Sequence, residues 1–415
     1  MKPLLKVLSL SLLLSAGVSC KNNQEDNKTE IDQSEAKETS IDKKISEEKI
    51  DSVTQLAANQ YISMAGKIEE GEYPKTFYPK KGEFEASNSG WWTSGFYPGT
   101  LLYLYEETGK DTLKTEAEHI LEHLKREAKN TSTHDLGFMM FCSFGNANRL
   151  DPKQEYKDIL MESAKSLAIR YNDTVKAIRS WDSAPWNKAE KGDLVVIIDN
   201  MMNLELLFWA ADHSGDERYR EIAINHANTT MKNHFRDDYS TYHELIYDEE
   251  TGEAKSKITA QGFADESSWA RGQAWGLYGY VLMYRETKEQ KYLDQAKNIA
   301  KFILEHPNMP EDMVPYWDYD AEDIPDDFRD SSAAAVIASA LIELHEYTED
   351  ENYFNSAEKM LSSLMSDEYL AEQDELGGFL LKHGVGSKPA NSEVDVPLTY
   401  GDYYFVEALK RYQEL

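Results

Sequence analysis

A repeated register constrains this chain more than any other feature. In four places a Thr or Ser closes an apolar-periodic stretch, a short polar turn follows, a Leu or Tyr comes five residues on, and an Ala four after that. The sets are Thr108, Leu113 and Ala117; Ser214, Tyr219 and Ala223; Thr287, Tyr292 and Ala296; and Thr348, Tyr353 and Ala357. A weaker copy lies at Tyr156 and Leu160, and a helix from Tyr403 closes the series. The stretches LLYLYEETGKDTLKTEAEHILEHL (101–124) and ALIELHEYTEDENYFNSAEKMLSSLM (340–365) carry apolar residues at helical spacing. Helical hairpins bury one face only against their neighbours, so a run of them stacks openly or closes as a ring. At roughly 60 residues per hairpin the body after residue 50 holds about six, which predicts an all-α (α/α)6 toroid. The exception is 236–259, RDDYSTYHELIYDEETGEAKSKIT, where aromatic and β-branched residues flank a turn at Gly252 and predict a β-hairpin over one end of the ring.

The N-terminus reads as an address. Lys2 and Lys6 precede a leucine-rich core, and small residues lead to Cys20, the pattern of a bacterial secretory signal. The cysteine directly after Gly17, Val18 and Ser19 resembles a lipoprotein cleavage site, which makes Cys20 the acylated residue; an ordinary signal with an incidental cysteine is the alternative. Residues 21–50 contain no aromatic, Gly or Pro and read as a disordered tether. The expected organisation is therefore a signal peptide at 1–20, a tether at 21–50 and an (α/α)6 domain at 51–415. The expected address is a bacterial membrane reached through a lipid anchor only, read as the outer membrane, facing periplasm or cell surface.

Charge excludes one class of partner. With 75 acidic against 44 basic residues, a net charge of −31, the chain repels phosphate backbones at long range and does not read as a nucleic-acid binder. Two cysteines support neither a disulfide framework nor a cysteine-rich zinc site. His234, Asp237 and His243 fit no metal-ligand spacing, and Cys142, in an apolar run, reads as a buried thiol.

Polar residues that break the apolar pattern mark the candidate site. In THDLGFMMFCSF, His134 and Asp135 precede an apolar run; a helix cap at Thr133 or Asp135 is the plain alternative. In DLVVIIDNMMNLELLFWA, Asp199 follows Leu194 to Ile198 without a polar break, an apolar setting that raises a carboxyl pKa toward the range of a general acid. In QGFADESSWARGQAWGLYGY, Gln261, Trp269, Arg271, Gln273 and Trp275 suit an acidic sugar, with flat rings for the pyranose and a guanidinium fork for a carboxylate. Trp91, Trp92, Trp181, His243 and Trp317 add aromatic surface, each of which core packing alone would also explain.

Taken together, THDLGF, IIDNMMNLELLFWA and SSWARGQAWGLYGY resemble the unsaturated glucuronyl hydrolases of glycoside hydrolase family 88. FYPGTLLYLYEETG, HELIYDEETG, VPYWDYD, RDSSAAAVIASALIEL and GDYYFVEAL match in order across almost all of 50–415. The resemblance implies an (α/α)6 enzyme that hydrates the 4,5-unsaturated uronic acid left at the non-reducing end by polysaccharide lyases, with no cofactor. It implies Asp199 as general acid/base and Asp135 as the second essential carboxylate. It places His134, Trp181, His243, Gln261, Trp269, Arg271 and Trp275 around the substrate, with Trp91 or Trp92 and Tyr403 less firmly aligned. Tyr400 stands where the family commonly carries Trp. Ser387 and Lys388 fall where members differ in accepting a sulfated second sugar, so the parent polysaccharide, glycosaminoglycan, ulvan, gellan or xanthan, is left open. The alternatives are a family 105-type unsaturated rhamnogalacturonyl hydrolase and a non-catalytic surface glycan-binding lipoprotein.

Overall fold

A computed structural model describes residues 43–183 and 187–415. Cys20, the signal peptide and the tether as far as residue 42 lie outside the described residues. The body begins earlier than the expected residue 51. Ile45 and Ile50 are buried, the Ile45 N–H donates to the Tyr412 hydroxyl at 3.3 Å, and the Ser46 hydroxyl caps the first helix by accepting from Lys49 N–H at 3.2 Å. Two isoleucines five residues apart supply enough apolar surface to dock a segment that is otherwise all polar.

Among the described residues the helices are α1 (Glu47–Ala65), α2 (Phe96–Thr108), α3 (Asp111–Leu124), α4 (Asn146–Leu150), α5 (Gln154–Ala168), α6 (Leu204–Ser214), α7 (Arg218–Asn233), α8 (Ala270–Thr287), α9 (Gln290–Glu305), α10 (Ser331–Thr348), α11 (Glu351–Leu364) and α12 (Thr399–Glu414). Even-numbered helices form the inner ring, and α12 packs on both α10 and α2 to close it. The chain is an (α/α)6 toroid. Burial separates the two rings: α10 is buried from Ser331 to His345, whereas α9 buries one stripe, Tyr292, Leu293, Gln295, Ala296, Ile299, Ala300 and Ile303.

The repeated register has a physical cause. Thr108, Ser214, Thr287 and Thr348 are the last residues of α2, α6, α8 and α10, and each hydroxyl donates to the carbonyl four residues back at 2.6–2.8 Å. Each also accepts the N–H two residues on, at 3.2–3.4 Å. The residue between, Gly109, Gly215, Lys288 or Glu349, is left-handed, so the chain reverses at once. Leu113, Tyr219, Tyr292, Tyr353 and the four alanines then bury against the preceding helix. Tyr156 and Leu160 are buried in the same way on α5.

The last helix starts at Thr399 rather than Tyr403. Gly401 lies inside α12, where an added Cβ would stand 3.1 Å from Ser332 Cβ of α10.

The strands are β1 (Tyr73–Tyr78), β2 (Glu83–Ser87), β3 (Tyr171–Asn172), β4 (Ala177–Ile178), β5 (Asp193–Ile197), β6 (Glu244–Asp248), β7 (Ala254–Ile258), β8 (Gly384–Ser387) and β9 (Ser392–Val396). The expected hairpin is β6–β7, and β5 joins it to make a three-stranded antiparallel sheet, Ile197 opposite Glu244. The apolar run before Asp199 is therefore a strand, which delivers that aspartate to the end of the ring.

Candidate active site

Asp199 sits in the 3₁₀ turn Ile198–Asn203 between β5 and α6, and Asp135 lies two residues before the π-helical turn Gly137–Gly145 that runs into α4. The two turns are clamped together. Asn203 Oδ1 accepts the Phe138 N–H at 3.0 Å, and Gly137 lies so close that a Cβ there would stand 2.3 Å from Asn203 Cα. Asn200, fully buried, donates to the Ile178 carbonyl at 3.0 Å and to the Ser180 hydroxyl at 3.3 Å, holding the Asp199 turn against the strand region behind it.

Both carboxylates line one cavity of about 480 Å³ with Trp91, Trp92, His134, Trp181, Gln261, Arg271 and Ser387. Burial pushes Asp199 up to about 7; the Arg271 charge pulls it back, the Asp135 charge pushes it further up, and its own backbone N–H and the Trp275 indole favour the ionised form. Burial likewise pushes Asp135 up to about 7, against a hydrogen bond from the Thr133 hydroxyl at 3.0 Å and the charge of Arg170. Asp135 is not a helix cap, since its side chain bonds to Thr133.

Histidines back both acids. His134 Nε2 lies 3.2 Å from Asp135 Oδ1 and His243 Nε2 lies 3.8 Å from Asp199 Oδ2. Burial pushes each imidazole down to about 3, so both are neutral. His243 Nδ1 accepts the Ala260 N–H at 3.0 Å, which leaves the proton on Nε2, facing Asp199. The ring is wedged edge-on between Trp269 at 4.8 Å and Trp181 at 5.7 Å.

Several expected site residues stand elsewhere. Trp269, Trp275 and His243 are buried behind the cavity wall; Trp275 packs on Phe138 at 5.2 Å and presents its indole to Asp199. Arg271 lines the cavity, but its fork is committed to Asp330 at 2.9 Å, the Gly386 carbonyl at 2.5 Å and the Val385 carbonyl, so it ties α8 to α10 and β8. Lys388 turns away to Asp327 at 2.7 Å over Trp317. Tyr403 faces a separate cavity of about 610 Å³ at the other end of the ring, bonded to Asn146 at 3.1 Å, because it lies nearly a turn beyond Tyr400 along α12. Tyr400 is the α12 residue in the site, 4.9 Å from Trp92. His234 points into the protein interior, its Nε2–H donating to the Val196 carbonyl at 3.2 Å.

Glu393 on β9 also lines the site, and Arg170, buried outside the lining and bonded to the Thr131, Arg179 and Ser180 carbonyls, lends its charge to Asp135; sequence reasoning passed over both because each reads as an ordinary surface charge. The larger cavity is lined by charges that are paired, as Lys410 is with Glu414 at 2.8 Å, and its carboxyl raised by burial, Glu205, is held by Arg285 at 2.5 Å.

The toroid aims its inner helices at this cavity. Trp91 and Trp92 precede α2, Asp135 precedes the π turn, Asp199 leads into α6, Arg271 is in the first turn of α8, Asp330 caps α10 and Tyr400 is in the first turn of α12. Helix N-termini carry partial positive charge, so an anionic ligand is favoured here in spite of the overall −31.

The family model described as Glycosyl Hydrolase Family 88 matches residues 63–414. The chain belongs to glycoside hydrolase family 88. It is 51% identical to an unsaturated glucuronyl hydrolase of Formosa agariphila over 325 residues, covering 78% of this chain and 80% of that one. It is 34% identical to an unsaturated chondroitin disaccharide hydrolase of Streptococcus pyogenes over 89% of this chain and 92% of that one. Among solved structures, an unsaturated glucuronyl hydrolase specific for heparin superposes with TM-score 0.85 at 45% identity, covering 89% of this chain and 98% of that chain. This family 88 glycosidase carries the carboxyl pair Asp135 and Asp199 where the inner ring opens.

Proposed function

We propose that this family 88 chain removes the 4,5-unsaturated uronic acid from the non-reducing end of lyase-generated acidic oligosaccharides by hydrating its C4=C5 bond. The observation that carries the reading is the pair Asp199, buried, and Asp135, with 13% of its side chain exposed, facing one cavity and both raised to about 7. A vinyl ether is protonated at carbon, which requires an acid that keeps its proton near neutrality.

Asp199 gives its proton to C4, and water adds at C5 while returning a proton to the carboxylate. The C5 hemiketal then opens to a ketone by breaking its ring C–O bond, and the hemiacetal left at C1 expels the neighbouring sugar as an alcohol. The neutral His243 Nε2–H faces Asp199 and stabilises the carboxylate that forms after transfer. Asp135, fixed by the Thr133 hydroxyl, holds the ring hydroxyls and keeps the pKa of Asp199 high. Trp91 and Trp92 offer flat surfaces at the mouth for the sugar rings. No covalent intermediate is needed, so the carboxyl separation does not select a stereochemical course.

The test is loss of the ultraviolet absorbance of the conjugated uronate on mixing the enzyme with unsaturated disaccharides from several lyases. Turnover is expected with at least one; none across the panel would leave only a glycan-binding role. The address is a proposal of its own, resting on the signal and Cys20, and places the enzyme on a bacterial membrane through lipid.

A further inference from the structure

A third carboxyl enters the cavity. Glu393 on β9 lines it together with Ser387, Ala390 and Ser392, and it is held at φ +55°, a costly backbone state for a residue with a side chain. Its side chain crosses over Gly386, where an added Cβ would stand 2.9 Å from Glu393 Oε2, and the Gly386 carbonyl is pinned by Arg271 and by Gln261. The carboxyl is therefore built into the wall, with only 12% of the side chain exposed.

Position along the cavity decides what it meets. Asp199, Arg271 and Tyr400 are buried at the base, whereas Trp91, 42% exposed, and the exposed Gly90 and Ala390 form the rim. A terminal sugar processed at the base leaves its neighbour at the rim, against Trp91 and the β8–β9 hairpin. Lys75 is the cation beside Glu393, its Nζ 3.9 Å from Oε2, but that ammonium is already bonded to Glu85 at 2.6 Å and lies 5.2 Å from the Trp91 ring centre. Two carboxyls thus share one ammonium, and Arg271, the other cation that acts on Glu393, is committed to Asp330 and the Gly386 carbonyl, so neither cation is free to receive an anionic second sugar.

Resting on the function proposed above, we propose that Glu393 is a specificity-determining residue: it takes a hydrogen bond from a hydroxyl of a neutral second sugar and disfavours a second sugar bearing sulfate or carboxylate. The substrate class is then an unsaturated uronate linked to an uncharged sugar. Burial pushes Glu393 up to about 7, with Lys75 of β1 and Arg271 of α8 pulling down and Glu85 of β2 pushing up. Rejection of an anionic neighbour therefore strengthens as pH rises through neutrality and Glu393 ionises.

The experiment compares kcat/KM for two unsaturated disaccharides that differ only in a 6-sulfate on the N-acetylgalactosamine, using the full chain. The wild type is expected to prefer the unsulfated one, increasingly so from about pH 6 to about pH 8. Glu393→Gln raises the sulfated-to-unsulfated ratio about tenfold and flattens its pH dependence. Lys75→Met moves the ratio the other way. A ratio indifferent to Glu393→Gln and Lys75→Met, or a wild type that takes both substrates equally, overturns the inference while leaving the hydrolase reading intact. No turnover of these two or of any other unsaturated disaccharide overturns the hydrolase reading itself and this inference with it.

Discussion

His243 Nε2 stands 3.8 Å from Asp199 Oδ2, and the Ala260 N–H on the opposite ring nitrogen fixes which side carries the proton. A neutral donor thus waits beside an acid that becomes an anion only during the reaction. His243→Ala removes that donor and the wedge between Trp181 and Trp269. Steady-state kinetics should show kcat lowered about 100-fold, with a smaller change in KM, as for loss of one group that acts on the transition state.

The pH profile follows from the two carboxyls. Asp199 is active protonated, so kcat/KM should fall above about pH 7, tenfold per unit. The negative charge of Asp135 is one cause that raises Asp199, so Asp135→Asn should move this alkaline limb to lower pH in whatever activity is left. A limb that stays in place would assign the raised pKa to burial alone.

Gly137 sets how closely the two acid-bearing turns approach. Gly137→Ala drives a methyl into the Asn203 backbone, where no flexible side chain can give way. Thermal or denaturant unfolding should register a loss of about 1–3 kcal/mol, with activity reduced as the turns separate.

Arg271 acts in binding through the wall it supports as well as by charge. In Arg271→Ala the buried Asp330 loses its partner, and the expected destabilisation is about 3–5 kcal/mol, with a raised KM as the β8–β9 hairpin loosens. Arg271→Lys cannot reproduce a fork that reaches Asp330, Val385 and Gly386, and should recover little of either. A melting temperature equal to wild type with only KM raised would return Arg271 to a simple carboxylate contact.

The ring was legible because its turns are chemically redundant: the same hydroxyl clamp and left-handed residue recur at Thr108, Ser214, Thr287 and Thr348. Asp199 and Asp135 stood out because a carboxylate beside an apolar run is a local anomaly. Residues whose role depends on where a helix end lands were not legible in that way. Tyr400 and Tyr403 differ by less than a turn yet face opposite cavities, and Trp275 reads like a wall residue although it lies behind one. Glu393 gave no signal, since a glutamate in a polar loop is usually solvated and only the fold of β8 and β9 turns it inward. Net charge misled for a related reason: it sums surface carboxylates and omits the helix ends that converge on the cavity.

The central claim is that Asp199 supplies the proton. Asp199→Asn keeps the shape and removes the acid, and because burial raises the folded-state pKa, the wild-type carboxyl loses stability as pH rises through about 7 whereas Asn does not. At about pH 8 the variant should therefore melt no lower than wild type, and its turnover of an unsaturated disaccharide, followed by loss of the uronate absorbance, should fall about 1,000-fold or more. Turnover near the wild-type rate in that folded variant would contradict the account and assign the proton to another group.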